Sequence, residues 1–365
     1  MNKKLFGSFS ALALTGALVL SGCGSNAANP AATKAEESPK ALLKSSVASA
    51  SQMTSYQMDS NFTINELTVT VPPSSMDSTS VNQVVSMLKG AEFNVKTVYQ
   101  GDPMQAEMNL EVKLKGDMEM TIKLPIVMTK EKMYIKVPNI ALLPLPQSIV
   151  GKFIEIDMKE LAAQQGAEFN EAMLDPKNSQ KLSSDLSAAV LDSFDEGKYF
   201  KKVAVGDAGL PEGVTAEDVV RFEVTNDNVK DAITTLVNVA LPKVIETLDT
   251  PEYREMLGLT EQDLQDAKSE LSTTDNEQMN KDLDELKNYL TVNTFQLDTA
   301  LNKDKFPIHQ KMVVDVNFTD AESDTSGKMS MTGSSTYSKV NEAQTFEVGV
   351  PTETITLDEL ENMNF

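Results

Sequence analysis

Met104-Gln105-Ala106-Glu107-Met108-Asn109-Leu110-Glu111-Val112-Lys113-Leu114-Lys115 decides the fold class. Even positions are apolar or small and odd positions are polar, with no exception. A period of two sends successive side chains to opposite faces of an extended chain, so the stretch predicts a β-strand with one buried face. After a turn at Gly116-Asp117 the pattern resumes in Met118, Met120, Ile122 and Leu124. Phe93, Val95 and Tyr99 extend it on one side; Met133, Ile135 and Val137, then Ile154, Ile156 and Met158, on the other. Further on it returns at Val220, Phe222 and Val224, at Met312, Val314, Val316 and Phe318, and at Phe346, Val348 and Val350. Strands that are apolar on one face only belong to antiparallel sheets with the other face in water.

Helical spacing interrupts these strands. Val81, Val84, Val85 and Leu88 form one stripe, and Leu182, Leu186, Ala189, Val190 and Phe194 another. The longest runs through Val229, Ala232, Ile233, Leu236, Val237, Ala240, Val244, Ile245 and Leu248, with Asn226 or Asp227 as cap and a kink expected at Pro242. Thr250-Pro251 and Thr260-Glu261 mark two more helix starts, which makes residues 251–288 an acidic helical segment. A faint echo links Pro103, Met108, Val112 and Gly116-x-Met118-x-Met120 to Pro307, Met312, Val316 and Gly327-x-Met329-x-Met331. Two similar hairpins in one sheet would produce it, and so would chance.

The N-terminus bears on location. Lys3 and Lys4 precede an uncharged apolar run, Leu5 to Leu20, and Leu20-Ser21-Gly22-Cys23 closes it. This order is that of a secretory signal peptide. Its last four residues resemble the lipobox of bacterial prolipoproteins: an aliphatic residue, two small ones, then Cys. The resemblance implies cleavage between Gly22 and Cys23 and a diacylglyceryl group on the Cys23 thiol. At sixteen residues the run is short for a membrane span, which needs about 20. The expectation is thus a signal peptide over 1–22, then a lipidated Cys23 opening a tether over 23–40. A single domain over 41–365 would be held outside the cell membrane, on its extracytoplasmic face. The tether, Gly24 to Lys40, is small, polar and punctuated by proline. Cys23 is the chain's one cysteine, so the domain has no disulfide and relies on its core.

Together the lipobox, the tether, the one-faced strands and the closing Pro351-x-Glu353-x-Ile355 resemble the LolA/LolB-like and LppX-like lipoproteins and their uncharacterised Gram-positive relatives. That resemblance implies an α+β fold: a strongly curved antiparallel sheet, or half-barrel, with helices packed on its concave face. It also implies an apolar or amphiphilic, lipid-like ligand held between sheet and helices. Six of the nineteen methionines fall between Met104 and Met133, and deformable Met side chains suit a surface that accepts varied apolar partners. Met104, Met108, Leu110, Met118, Met120, Ile122, Met133, Leu236, Val237, Met312 and Val314 are the candidate lining of such a cavity. An ordinary core packed with Met in place of Leu fits the same pattern. The other reading is an envelope scaffold without a small ligand, with the acidic segment 251–288 as the surface for an envelope protein partner.

Charge and motifs narrow the chemistry. The formal charge is −22, and loss of Lys3 and Lys4 with the signal would make it −24. Such acidity argues against nucleic acid, whose binding rests on basic contacts to phosphate. No enzyme, metal site or cofactor is expected. His309 is the single histidine, and with one cysteine it cannot build a zinc site. No G-x-S-x-G elbow occurs, and Ser86-x-x-Lys89 lacks the partner motifs of penicillin-binding proteins. Asp320, Glu322, Asp324 and Gly327 fail the calcium-loop spacing, because the sixth and twelfth positions are Thr325 and Met331.

Overall fold

The computed structural model describes residues 37–72, 78–115, 119–140, 145–164, 170, 172, 175–272, 285, 289–320 and 323–363. The signal segment, Gly22 and Cys23, most of the tether, the Gly116-Asp117 turn with Met118, and all of 273–288 but residue 285 lie outside them.

The alternating stretches form one sheet. Its strands are β1 (Ser55–Thr70), β2 (Glu92–Gly101), β3 (Met104–Lys115), β4 (Glu119–Thr129), β5 (Lys132–Lys136) and β6 (Phe153–Asp157). The second half supplies β7 (Phe200–Val203), β8 (Asp218–Val224), β9 (Leu290–Leu301), β10 (Pro307–Asp320), β11 (Thr325–Ser338) and β12 (Thr354–Thr356). The twelve strands lie in the order β12-β6-β5-β4-β3-β2-β1-β11-β10-β9-β8-β7, and the sheet does not close into a barrel. Every pairing is antiparallel except β12 with β6, which is parallel. The two halves meet where the first strand pairs with the last long one, Ser60 opposite Ser335. β3–β4 and β10–β11, the two stretches that echo each other in sequence, are both hairpins of this sheet.

Turn chemistry follows the residues. Between β9 and β10 the side chain of Asn302 accepts hydrogen bonds from the backbone of Asp304 (2.9 Å) and Phe306 (3.0 Å), and Lys305 takes φ +64°. An Asx side chain thereby replaces main-chain partners that a tight turn leaves unpaired.

The helices are α1 (Pro39–Ala50), α2 (Ser78–Leu88), α3 (Met158–Gln164), α4 (Pro176–Leu191) and α5 (Glu196–Tyr199). Then come α6 (Val229–Thr235), a π turn (Leu236–Ala240), α7 (Leu241–Leu248), α8 (Pro251–Leu257), α9 (Glu261–Ser272) and α10 (Leu357–Glu361). Leu42 and Leu43 of α1 pack on Val220 and Leu301. Around them Leu191, Phe194, Tyr199 and Phe200 join Val224, Val229, Ala232 and Val292 in the main core, where Phe222 meets Phe194 edge-on at 5.4 Å.

Four expectations need correction. Phe346, Val348 and Val350 are not a strand. Gly349 sits at φ +69°, and the amides of Val348 and Gly349 donate to the Glu107 carboxylate instead of to a ladder. The cap of α6 is Asn228, not Asn226 or Asp227. The kink expected at Pro242 is a π turn just before it: proline has no N–H to donate, and its ring displaces the carbonyl four residues back. In α4 the buried positions are Ser184, Ser187 and Leu191, while Leu182 and Leu186 are half-buried. Small serines let α4 approach its neighbours closely, so burial there follows size before hydrophobicity.

Candidate functional site

The strand register assembles one continuous, largely apolar surface with a polar centre. One row runs Val220, Thr299, Gln310, Ser335, Ser60, Val95, Leu110, Leu124 across β8, β9, β10, β11, β1, β2, β3 and β4. The next runs Phe222, Leu297, Met312, Gly333, Phe62, Phe93, Val112, Ile122. None of these positions carries a charge. The positions between them carry charge on the other face: Glu111 lies between Lys113 (3.1 Å) and Lys123 (3.2 Å), and Asp298 takes a two-pronged Arg221 at 2.6 and 2.7 Å.

This surface is covered unevenly. Over β7–β10 the helices and the main core bury it. At the far end Val137, Ile149 and Ile355, with Ile154 and Leu360, form a smaller core beside β6 and β12. In between, Phe62, Phe93, Val95, Met108, Leu110, Val112, Ile122, Leu124 and Ile126 all remain half-buried. Two aromatic rings of this face lie against glycines of β11, Phe62 near its centre and Phe318 near its edge. A Cβ on Gly333 would collide with the Phe62 ring, and one on Gly327 with the Phe318 ring and, at 2.6 Å, with the Thr68 carbonyl. Glycine at these positions leaves room for the rings to approach the strand.

Of the cavity residues expected from the sequence, Met104, Met108, Leu110, Met120, Ile122, Met133, Met312 and Val314 fall on this one face. Met118 lies outside the described residues. Leu236 and Val237 occupy the π turn, and Leu236 packs against the main core. Two clefts mark the surface elsewhere. One of about 520 Å³ is lined by Phe153, Val348, Val350 and their neighbours, and one of about 30 Å³ by Glu155, Asp157, Glu160 and Asp358; neither includes a candidate residue.

The sequence reading missed a polar patch on the same face. Tyr56, Tyr99, Tyr337, Thr97, Ser60, Ser335, Gln310 and Thr299 adjoin one another across β2, β1, β11, β10 and β9. The hydroxyls of Ser60 and Ser335 are 2.7 Å apart, and the Tyr56 ring contacts Tyr99 at 5.2 Å and Tyr337 at 5.6 Å. Burial pushes the phenols of Tyr56 and Tyr337 up. The signal was legible as Ser, Thr and Gln at apolar-face parity, but only the register shows that they adjoin.

The remaining candidates are dispersed. His309 is buried on the opposite face with Nδ1 2.8 Å from Thr336 Oγ1, and burial, then Lys311, holds its pKa down. Ser86 and Lys89 are exposed on and just after α2. Asp320 accepts a hydrogen bond from the Ser323 hydroxyl (2.8 Å). Among the described residues no three His, Cys, Asp or Glu side chains are placed to share a metal, and no helix is long and apolar enough to cross a membrane.

A family of unknown function (DUF6612) matches residues 251–356, which takes in α8, α9 and β9 to β12. No curated protein matches the chain.

Proposed function

We propose that this chain is a lipoprotein, anchored through Cys23 on the extracytoplasmic face of the cell membrane, that shelters an apolar or amphiphilic ligand on its sheet. The observation that carries this reading is the uncharged face, covered at both ends and half-open over β1 to β4. Contiguous exposed apolar surface is costly in water and marks interaction sites. Each CH₂ of an acyl chain laid on it would contribute about 0.8 kcal/mol. The likeness to LolA/LolB-like and LppX-like lipoproteins implies the same class of ligand, and the lipobox and tether support the location. In this reading the sheet curves around the ligand as a half-barrel and the protein performs no chemistry on it.

The test is lipid mass spectrometry on protein purified from its native host. Lipid at about one equivalent per chain is the expected result. A lipid-free protein that also takes up none when offered lipid overturns the reading. In cells fed labelled palmitate the label should enter the chain, and replacing Cys23 with Ala should abolish it; label that persists in the variant, or none in the native chain, would overturn the anchor.

A further inference from the structure

The geometry points to a neutral, hydroxyl-bearing headgroup as the polar end of the ligand, bound at the patch of Tyr56, Ser60, Gln310, Ser335 and Tyr337. This rests on the reading above, that the face receives an apolar chain, and adds which amphiphiles it selects.

The first observation is an unmet acceptor. Gln310 is 8% exposed, and its Oε1 is buried with no hydrogen-bond partner among the described residues. A buried acceptor left unpaired is unfavourable, and native structures rarely tolerate one without water or ligand to satisfy it. Directly across β11 and β1, the Ser335 and Ser60 hydroxyls bond to each other at 2.7 Å. One of their two protons closes that bond, and the hydroxyl that accepts it can donate its own to a further acceptor. The patch therefore offers an acceptor and a donor on adjacent strands. A ligand hydroxyl answers both, because it donates and accepts.

The second observation is that, among the described residues, these strands present no cation on this face. No Lys, Arg or His occupies the apolar-face parity of β1, β2, β3, β4, β9, β10 or β11. Lys96, Lys311 and His309 have the opposite parity. A phosphate or carboxylate only accepts hydrogen bonds, so it would face the Gln310 oxygen with like charge and no counterion.

The third is the arrangement of polarity. The patch borders wholly apolar rows, Phe62, Phe93, Val112 and Met312, then Ile64, Met331 and Val314. Tyr56 and Tyr337 are half-buried, in contrast to Ser60, Gln310 and Ser335, which are buried. A molecule with a polar end and a chain matches this order along the strands. A glycerol or sugar head esterified or linked to acyl chains has that chemistry.

The experiment compares three probes with the same oleoyl chain: 1-monooleoylglycerol, oleate and oleoyl-lysophosphatidylglycerol. Each is offered below its micellar concentration to the full chain carrying Cys23→Ser, with affinity read by equilibrium dialysis. Occupancy of the patch is read from tyrosine emission, since the protein has no tryptophan. Monooleoylglycerol should bind about tenfold more tightly than either anionic probe. Gln310→Leu, Ser335→Ala and Tyr337→Phe, each checked for folding by circular dichroism, should weaken monooleoylglycerol about fivefold or more and leave oleate within about twofold. Equal binding of all three probes, tighter binding of an anionic one, or equal losses for every probe overturns the headgroup assignment while the apolar face stands. If none of the three binds, the reading of the face itself fails and takes this one with it.

Discussion

Gly333 shows how one missing Cβ shapes the face. The Phe62 ring occupies the space a side chain would fill, in the middle of the row that runs from Phe222 to Ile122. Gly333→Val should therefore push Phe62 out and destabilise the protein by about 1–3 kcal/mol, read as a lower urea midpoint. Adding Phe62→Ala should recover part of that loss, and additive penalties would contradict the contact. Tyr253 supplies a pH test. Burial, then its hydrogen bond to Asp185 at 2.5 Å, pushes its phenol up to about 12. The folded value lies above that of an unfolded tyrosine, near 10. The neutral phenol thus stabilises the fold fully below about pH 10, and this contribution is lost as pH rises through about 12. The urea midpoint should fall between pH 9 and 11.5, and Tyr253→Phe should flatten that fall. Tyr253 begins a stabilised helix, since the Thr250 side chain accepts from its amide. That cap was legible in Thr250-Pro251, whereas the partner on α4 was not, because Asp185 is 68 residues away.

At the scale of elements, Glu107 joins the segment after β11 to the rest of the sheet. It is 1% exposed, and its carboxylate accepts from the amides of Val348 (2.9 Å) and Gly349 (3.3 Å). The chain then runs on to β12, which pairs with β6 near the opposite edge. Glu107→Ala would leave two backbone donors without their acceptor at a cost of about 1–3 kcal/mol. Hydrogen exchange should speed up at Val348 and Gly349 and leave β9 and β10 unchanged; unchanged exchange at Val348 would contradict the latch. Periodicity misled at this point. Phe346, Val348 and Val350 alternate as a strand does, but alternation reports only which side chains share a face. Whether a backbone enters a ladder depends on a free strand edge, and here a carboxylate on β3 takes the amides first. The helix before Pro242 is similar in kind: its apolar stripe predicted a helix and its proline a kink, and the backbone resolves the two as a π turn.

On the scale of the whole molecule, the design is a separation of faces. Over β1 to β4 the charged side chains fall on one side of the sheet, and the other side is covered at both ends and half-open there. Leu110→Lys places an ammonium in that half-open middle, where its long stem can still lead the charge to water. The fold should survive, with a near-unchanged circular dichroism spectrum, and co-purifying lipid should fall at least about tenfold. Undiminished lipid in this variant would argue that the ligand lies elsewhere. The sequence by itself determined strands β2 to β6, β8 and β10, the side their residues face, most helix starts and the α+β class, because these depend on neighbours two to four positions apart. It also contained the Leu20-Ser21-Gly22-Cys23 motif on which the proposed location rests. Only the tertiary structure decided that β1 pairs with β11, since that choice joins residues some 280 positions apart and no local period encodes it. From that pairing came the polar patch around Gln310 and the Phe62–Gly333 contact. The reason is physical: alternation sets which face a side chain occupies, while register sets which other side chains it meets there.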